Sequence, residues 1–151
     1  MLSDFNDKAV LKMVLWFFML VCCLLVPVTM VFFGFLWKRH PPTGVNCLYG
    51  YRTSRSTKSP ATWAFAHQKV GSIWRRLGVL VTVVSIAAFV IGSLAIAGWR
   101  LEALGLEENA DPMGYLLLGI TAVQLVVLVG SIFPVERALK LLFDKDGNPI
   151  E

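Results

Sequence analysis

The sequence predicts an all-α integral membrane protein with three transmembrane helices and a short amphipathic cytoplasmic helix before the second span. Three observations predict it. Hydrophobic residues make up 56% of the 151 residues and charged residues only 16%, against about 25% in a typical soluble domain. Three long runs carry no charge. Eight of the 14 basic residues crowd between the first two runs, and no acid occurs between Asp7 and Glu102. The mean hydropathy, +0.66, is too apolar for a soluble surface and argues against a disordered chain or a cytosolic enzyme. The length suits a single domain, residues 1–151.

The first run, 13–37, has 25 residues, about 37 Å of helix at roughly 1.5 Å per residue. The hydrocarbon core is about 30 Å thick. Tilt, a kink at Pro27 or an emergent end accommodates the surplus. The run is too long for the apolar core of a cleaved signal peptide, and no small-x-small site follows it, so a retained anchor is expected. The second run, 77–98, and the third, 113–133 before Pro134, are each about the length of one spanning helix. Trp37 and Trp99 stand at run ends, where amphipathic rings favour the interface. Arg75, Arg76 and Arg100 flank runs and can snorkel.

Basic residues set the orientation. The loop 38–76 holds Lys38, Arg39, Arg52, Arg55, Lys58, Lys69, Arg75 and Arg76. The loop 99–112 sets Arg100 against Glu102, Glu107, Glu108 and Asp111. Basic loops stay cytoplasmic, so the N-terminus, with Asp4, Asp7 and Lys8, is expected outside and the C-terminus inside. Cys22 and Cys23 lie in a span and Cys47 in a reducing compartment, so no disulfide framework is expected.

The loop 38–76 is the informative part. Its first half is rich in proline, glycine and hydroxyls and reads as irregular. Ser59-Pro60 then reads as an N-cap and first turn. Trp63, Ala66, Val70, Ile73 and Trp74 recur at spacings of three and four, with Gln68, Lys69, Ser72 and Arg76 on another face. That pattern is an amphipathic helix lying at the membrane surface, with Gly71 as a bend before the second span.

The residues Asn46, Tyr49, Gly50, Tyr51, Arg52 and Thr53, followed by Ser56, Pro60, Trp63, Ala66, His67 and Gly71, resemble the SdpI family of bacterial toxin-immunity membrane proteins. The family pattern is an asparagine, then glycine-tyrosine-arginine-threonine, a tryptophan about ten residues on and an alanine three later. All occur here in order. The tail 142–148 also looks like the family's ending. His67 stands where many relatives have asparagine. The resemblance implies an inner-membrane protein conferring immunity to a secreted toxin or bacteriocin. Some relatives also signal by recruiting a repressor to the membrane.

The motif residues carry their own chemistry. Gly50 can take positive φ. Tyr49 and Tyr51 suit the headgroup layer. Arg52 offers a planar fork for phosphate or carboxylate, or braces the loop on backbone carbonyls. Thr53 and Ser56 add hydroxyls, and Asn46 can bond local backbone. Trp63 and Ala66 lead the helical seam, so Trp63 is expected to anchor the helix, with Thr62 on the opposite side and nearly silent.

Other motifs fail. Asp144, Asp146 and Asn148 imitate a calcium loop, but Pro149 replaces the required glycine, and a polar turn is expected. His40, Cys47 and His67 have no zinc spacing. No acid lies in a span to mark a proton path, and no nucleotide loop or nucleophile motif appears. A non-enzyme without cofactor or metal is expected. Its partners would be membrane lipids, a peptide toxin, a cytoplasmic regulator or a second copy of the chain, and direct nucleic-acid binding is not expected. Two alternatives differ in class. One is a small oligomeric lipid-handling or transport protein with a pathway lined by Gln124 and small hydroxyls, and the other is a non-catalytic interaction subunit.

Overall fold

The computed structural model describes residues 2–46, 48–98 and 111–150, the side chains of 2–6, 8, 9 and 98 excepted. Cys47, Trp99, the charges from Arg100 to Glu108 and the side chains of Asp4 and Lys8 lie outside the described residues. The chain forms α1 (Leu2–Arg39), α2 (Pro60–Gly98), α3 (Pro112–Gly130) and α4 (Ile132–Leu142). Among the described residues there is no strand, only an isolated bridge between Phe143 and Pro149. Three helical stretches, the last running through α3 and α4, are long and apolar enough to cross a membrane. The all-α, three-span architecture read from the sequence holds.

α1 and α2 are antiparallel. Trp16 meets Phe89 at one end, with ring centroids 5.2 Å apart, and Trp37 meets Trp74 at the other, at 5.3 Å. α3 runs back beside α2, from Leu116 near Gly92 to Ser131 near Trp74. The first loop, α4 and the tail therefore gather at one end, the motif end.

The amphipathic segment expected before the second span does not form a helix of its own but opens α2. α2 is one unbroken helix of 39 residues, about 58 Å at roughly 1.5 Å per residue. A hydrocarbon core of about 30 Å cannot contain it, so its first turns, with Lys69, Arg75 and Arg76, project beyond the hydrocarbon. Gly71 is no bend. A Cβ there would stand 2.8 Å from the Lys38 backbone nitrogen and 3.1 Å from the Trp37 carbonyl carbon. Glycine serves close approach to α1, and Gly34 and Gly78 do the same against Arg75 and Val31. An interior glycine costs a helix only about 1 kcal/mol against alanine, so the ladder runs through.

The apolar face of α2 was expected to rest on headgroups. Protein covers it instead. Ala66 and Val70 pack with Trp37, Tyr51, Val135, Leu139 and Phe143 in one buried cluster. Side chains the size of Val70, Val135 and Leu139 each contribute about 1.5–3 kcal/mol on burial. The opposite face, Gln68, Lys69 and Arg76, stays exposed.

α4 was not foreseen. The third run ends near Pro134 as expected, because proline offers no N–H to the Gly130 carbonyl. Yet the chain re-enters a helix after one turn residue, Ser131, placing Pro134 in the first turn of α4, where its missing N–H matters little. Val135 and Leu139 of α4 are buried while Arg137, Lys140 and Leu141 are exposed. Trp74 Nε1–H donates to Ser131 Oγ at 2.8 Å and fixes the junction.

Mid-span, the three helices are tied by one side chain. Pro27 lies inside α1 and cannot donate to the Cys23 carbonyl, four residues back. Gln124 of α3 supplies the missing donor, its Nε2 lying 2.9 Å from Cys23 O. The same nitrogen donates to Ser85 Oγ of α2 at 2.8 Å. In hydrocarbon no water is present to satisfy that carbonyl, so the glutamine allows α1 to stay helical through its proline.

The tail forms the polar turn expected. Asp144 Oδ1 accepts from the backbone N–H groups of Asp146, at 2.9 Å, and Asn148, at 2.8 Å. The Asn148 backbone and side-chain N–H groups, more than any other contact, hold the Asp144 carboxyl below its ordinary pKa.

Candidate functional site

The motif residues converge on His67. Ser59 and Thr62 start the local structure with a reciprocal cap. Thr62 N–H donates to Ser59 Oγ at 3.1 Å, and Ser59 N–H donates to Thr62 Oγ1 at 3.0 Å. This is a capping box with threonine in place of the usual glutamate. The Thr62 hydroxyl also meets the carbonyls of Ser59, at 2.9 Å, and Ser56, at 3.2 Å. Thr62 is buried, which corrects the expectation that it sits silent on an outer face. A buried threonine does not look apolar in a periodicity, so its seam is invisible to that reading.

From this cap α2 presents Trp63, Ala66 and His67 inward, all fully buried. The Trp63 and His67 rings lie 4.3 Å apart, and Trp37 approaches His67 edge-on at 5.1 Å. His67 Nδ1 lies 2.8 Å from Trp63 O. A carbonyl only accepts, so Nδ1 carries the proton. Nε2 is then free to accept, and Tyr51 N–H donates to it at 2.8 Å. Both ring nitrogens are spent on backbone, leaving neither as a base or a metal ligand.

Gly50 makes this geometry accessible. Its φ is +115°, and a Cβ there would run into His67 Nε2 and stand 3.0 Å from Trp63 Cζ2. Just after it, the Tyr51 ring enters the core and its hydroxyl donates to Glu136 Oε1 of α4 at 2.9 Å. Burial, with Glu136 beside it, pushes the Tyr51 phenol well above its ordinary pKa. Ser56 closes the loop. Its Oγ accepts from Thr53 N–H at 2.8 Å and donates to Tyr51 O at 2.8 Å, while Thr53 Oγ1 accepts from Ser56 N–H at 3.2 Å. The tail docks beneath, where Ser59 Oγ donates to Gly147 O at 2.8 Å.

Asn46, Tyr49 and Arg52 sit on the rim. Asn46 Oδ1 accepts from the N–H groups of Leu48 and Tyr49, both at 3.1 Å, the local bonding its residue type suggested. The turn holds out two large side chains, Leu48 at 92% exposure and Tyr49 at 58%. Arg52 and Lys58 are also exposed and Arg55 is half-buried. The motif thus divides into a latch, comprising half-buried Gly50 and the buried Tyr51, Ser56, Trp63, Ala66 and His67, and an exposed basic and aromatic rim.

Sequence reasoning missed two site residues, Glu136 and Thr62. Neither carries a period or a motif signal. Several of the polar residues suggested for a membrane pathway bond within or between the helices. Gln124 and Ser85 are bound into the interhelical tie, and Thr82 and Ser93 bond back to Gly78 O at 2.7 Å and Val90 O at 2.9 Å. Among the described residues no group of three histidine, cysteine or acidic side chains is placed to hold a metal.

The latch carries a pH dependence. Burial lowers the His67 pKa below its ordinary 6.5, opposed by the hydrogen bond to the Trp63 carbonyl. The unfolded chain therefore takes up a proton at a higher pH than the folded one. Stability from this group is complete above about pH 6.5 and declines as pH falls below it toward the folded value. Thermal unfolding in detergent from pH 8 to 5 is expected to show this slope, reduced in His67→Asn. An unchanged slope in the variant would assign it to other groups.

The model of the SdpI/YfhL protein family matches residues 44–135, more than half of the chain. The match takes in the latch, the rim, α2 and α3 and stops at the start of α4. No curated protein and no solved structure matches the chain. A family match of this extent over a multi-pass helical protein, with every motif residue inside it, places the chain in the SdpI/YfhL family.

Proposed function

We propose that this protein protects the bacterial cell that makes it against a secreted toxin or bacteriocin, from the inner membrane, and signals that state through its motif end. The reading rests on one observation. The family match covers the latch and the rim, and there the motif residues build a hydrogen-bonded latch that displays Leu48, Tyr49 and Arg52. A surface of exposed aromatic, apolar and basic groups on a fixed scaffold suits recognition of a regulator or of lipid phosphate better than bond-making chemistry. Basic residues favour the cytoplasm, so the motif end faces inward and the N-terminus outward.

Deleting the gene is expected to make the cell sensitive to spent medium from its own parent, and re-expression to restore growth. Equal growth of deletion and parent in that medium would remove toxin protection as the function. Arg52→Lys is expected to insert at the normal level yet fail to restore growth, because lysine keeps the charge and loses the planar fork. Full restoration by the lysine variant would reduce the role of Arg52 to simple charge.

Orientation is tested separately. A membrane-impermeant thiol reagent is expected to label Cys47 in inverted vesicles and not in intact cells. Labelling in intact cells would reverse the topology and move the signalling surface outside.

A further inference from the structure

Between α2 and α3 lies a groove of about 650 Å³, within the roughly 300–1,000 Å³ typical of small-molecule sites. Its walls are apolar, including Leu80, Val84, Ala88, Leu116, Ile120 and Val123. Three polar side chains also line it, Tyr115 near the start of α3 and, deeper, Gln124 and Ser85. Gln124 and Ser85 stand mid-span, level with Cys23 of α1.

The hydrogen-bond count at these two residues is incomplete in a telling way. A glutamine amide has two N–H donors and an oxygen with two lone pairs. Cys23 O can only accept, which fixes the Gln124 amide orientation, with Nε2 toward α1 and Ser85. Both donors are thereby used. Among the described residues nothing donates to Gln124 Oε1, and the Ser85 hydroxyl, which accepts from Nε2, has no acceptor for its own hydrogen. Gln124 is only 2% exposed, and in hydrocarbon there is no water to complete either group. At mid-span the groove thus offers one acceptor and one donor, both neutral, within apolar walls.

We propose that this groove binds an apolar, membrane-dissolved molecule through a single neutral hydroxyl. A hydroxyl donates to Gln124 Oε1 and accepts from Ser85 Oγ–H in one placement. A hydrocarbon chain satisfies neither group, and a charged headgroup is disfavoured at this depth. Gly119 provides the entry space, since a Cβ there would meet no atom within 4 Å. The inference stands apart from toxin protection, because it rests only on the spans.

The test uses the full chain in lipid vesicles with two photoreactive long-chain probes, one a secondary alcohol with its hydroxyl mid-chain, the other the same chain without the hydroxyl. The alcohol is expected to label groove residues roughly tenfold more than the hydrocarbon, the gain expected from two neutral hydrogen bonds. Gly119→Leu fills the groove without touching the Gln124 tie and is expected to abolish the labelling while the thermal midpoint holds. Gln124→Leu is expected to erase the preference for the alcohol. Equal labelling by the two probes, or a preference that survives Gly119→Leu, overturns the proposal. Near-complete disulfide cross-linking of a Gly119→Cys variant between copies would also overturn it, by giving the groove to a second chain.

Discussion

Trp63→Ala is expected to lower the stability of the protein by about 3–5 kcal/mol, the cost of truncating a buried tryptophan. The ring is fully buried and packs tilted against His67 with ring centroids 4.3 Å apart, so its loss leaves a cavity at the centre of the latch. The substitution also withdraws packing from beside the Tyr51–His67 bond, and the proposed toxin protection is expected to fall with it. Trp63→Phe sharpens the test. The Trp63 indole N–H is buried with no hydrogen-bond partner among the described residues, a deficit of about 1–3 kcal/mol. Phenylalanine removes that donor and keeps most of the ring contact, so it is expected to cost much less than its lost volume alone implies. Thermal or denaturant unfolding in detergent reads both. Lipid-borne quenchers are expected to leave the emission of a variant with Trp63 as its only tryptophan nearly unchanged. Strong quenching would place the ring in lipid, as an anchor outside the core. Thr62→Ala is itself expected to cost about 1 kcal/mol through loss of its half of the reciprocal cap.

Gly50→Ala is expected to cost about 2–4 kcal/mol, combining the penalty for a side chain at positive φ with overpacking. The added methyl would meet His67 Nε2 and stand 3.0 Å from Trp63 Cζ2. Either the loop or the imidazole has to move, and in both cases the Tyr51–His67 bond at 2.8 Å is lost. The variant is expected to insert normally, unfold earlier and lose most of the His67-dependent pH slope. A wild-type midpoint would mean that the loop does not lie against His67.

The three spans were legible because bilayer crossing imposes a length and a composition on each segment, and 13–37, 77–98 and 113–133 meet both. Ser59-Pro60 was legible as a helix start because capping is local chemistry. The buried identity of Ala66 and Val70 followed from spacing. What covers them did not. A period of three to four marks an apolar face and is the same whether lipid, α1 or α4 lies against it, so a helix packed in protein read as one resting on headgroups. Gly71 shows the same limit. Glycine permits a bend and also permits close approach, and only the position of Lys38 and Trp37 against it decides for the second.

By itself the sequence determined the membrane class, the number of spans, the family and the motif residues, because each of these is written in composition or in local order. Tertiary structure alone decided that His67 joins Tyr51 to Trp63, that Tyr51 reaches Glu136 of α4, and that Gln124 completes the carbonyl that Pro27 leaves open in α1. Each of those bonds joins residues that only folding brings together, such as Gln124 and Cys23, 101 positions apart. Hydrogen-bond complementarity acts through space at about 3 Å, and a one-dimensional pattern carries no record of which donor will arrive.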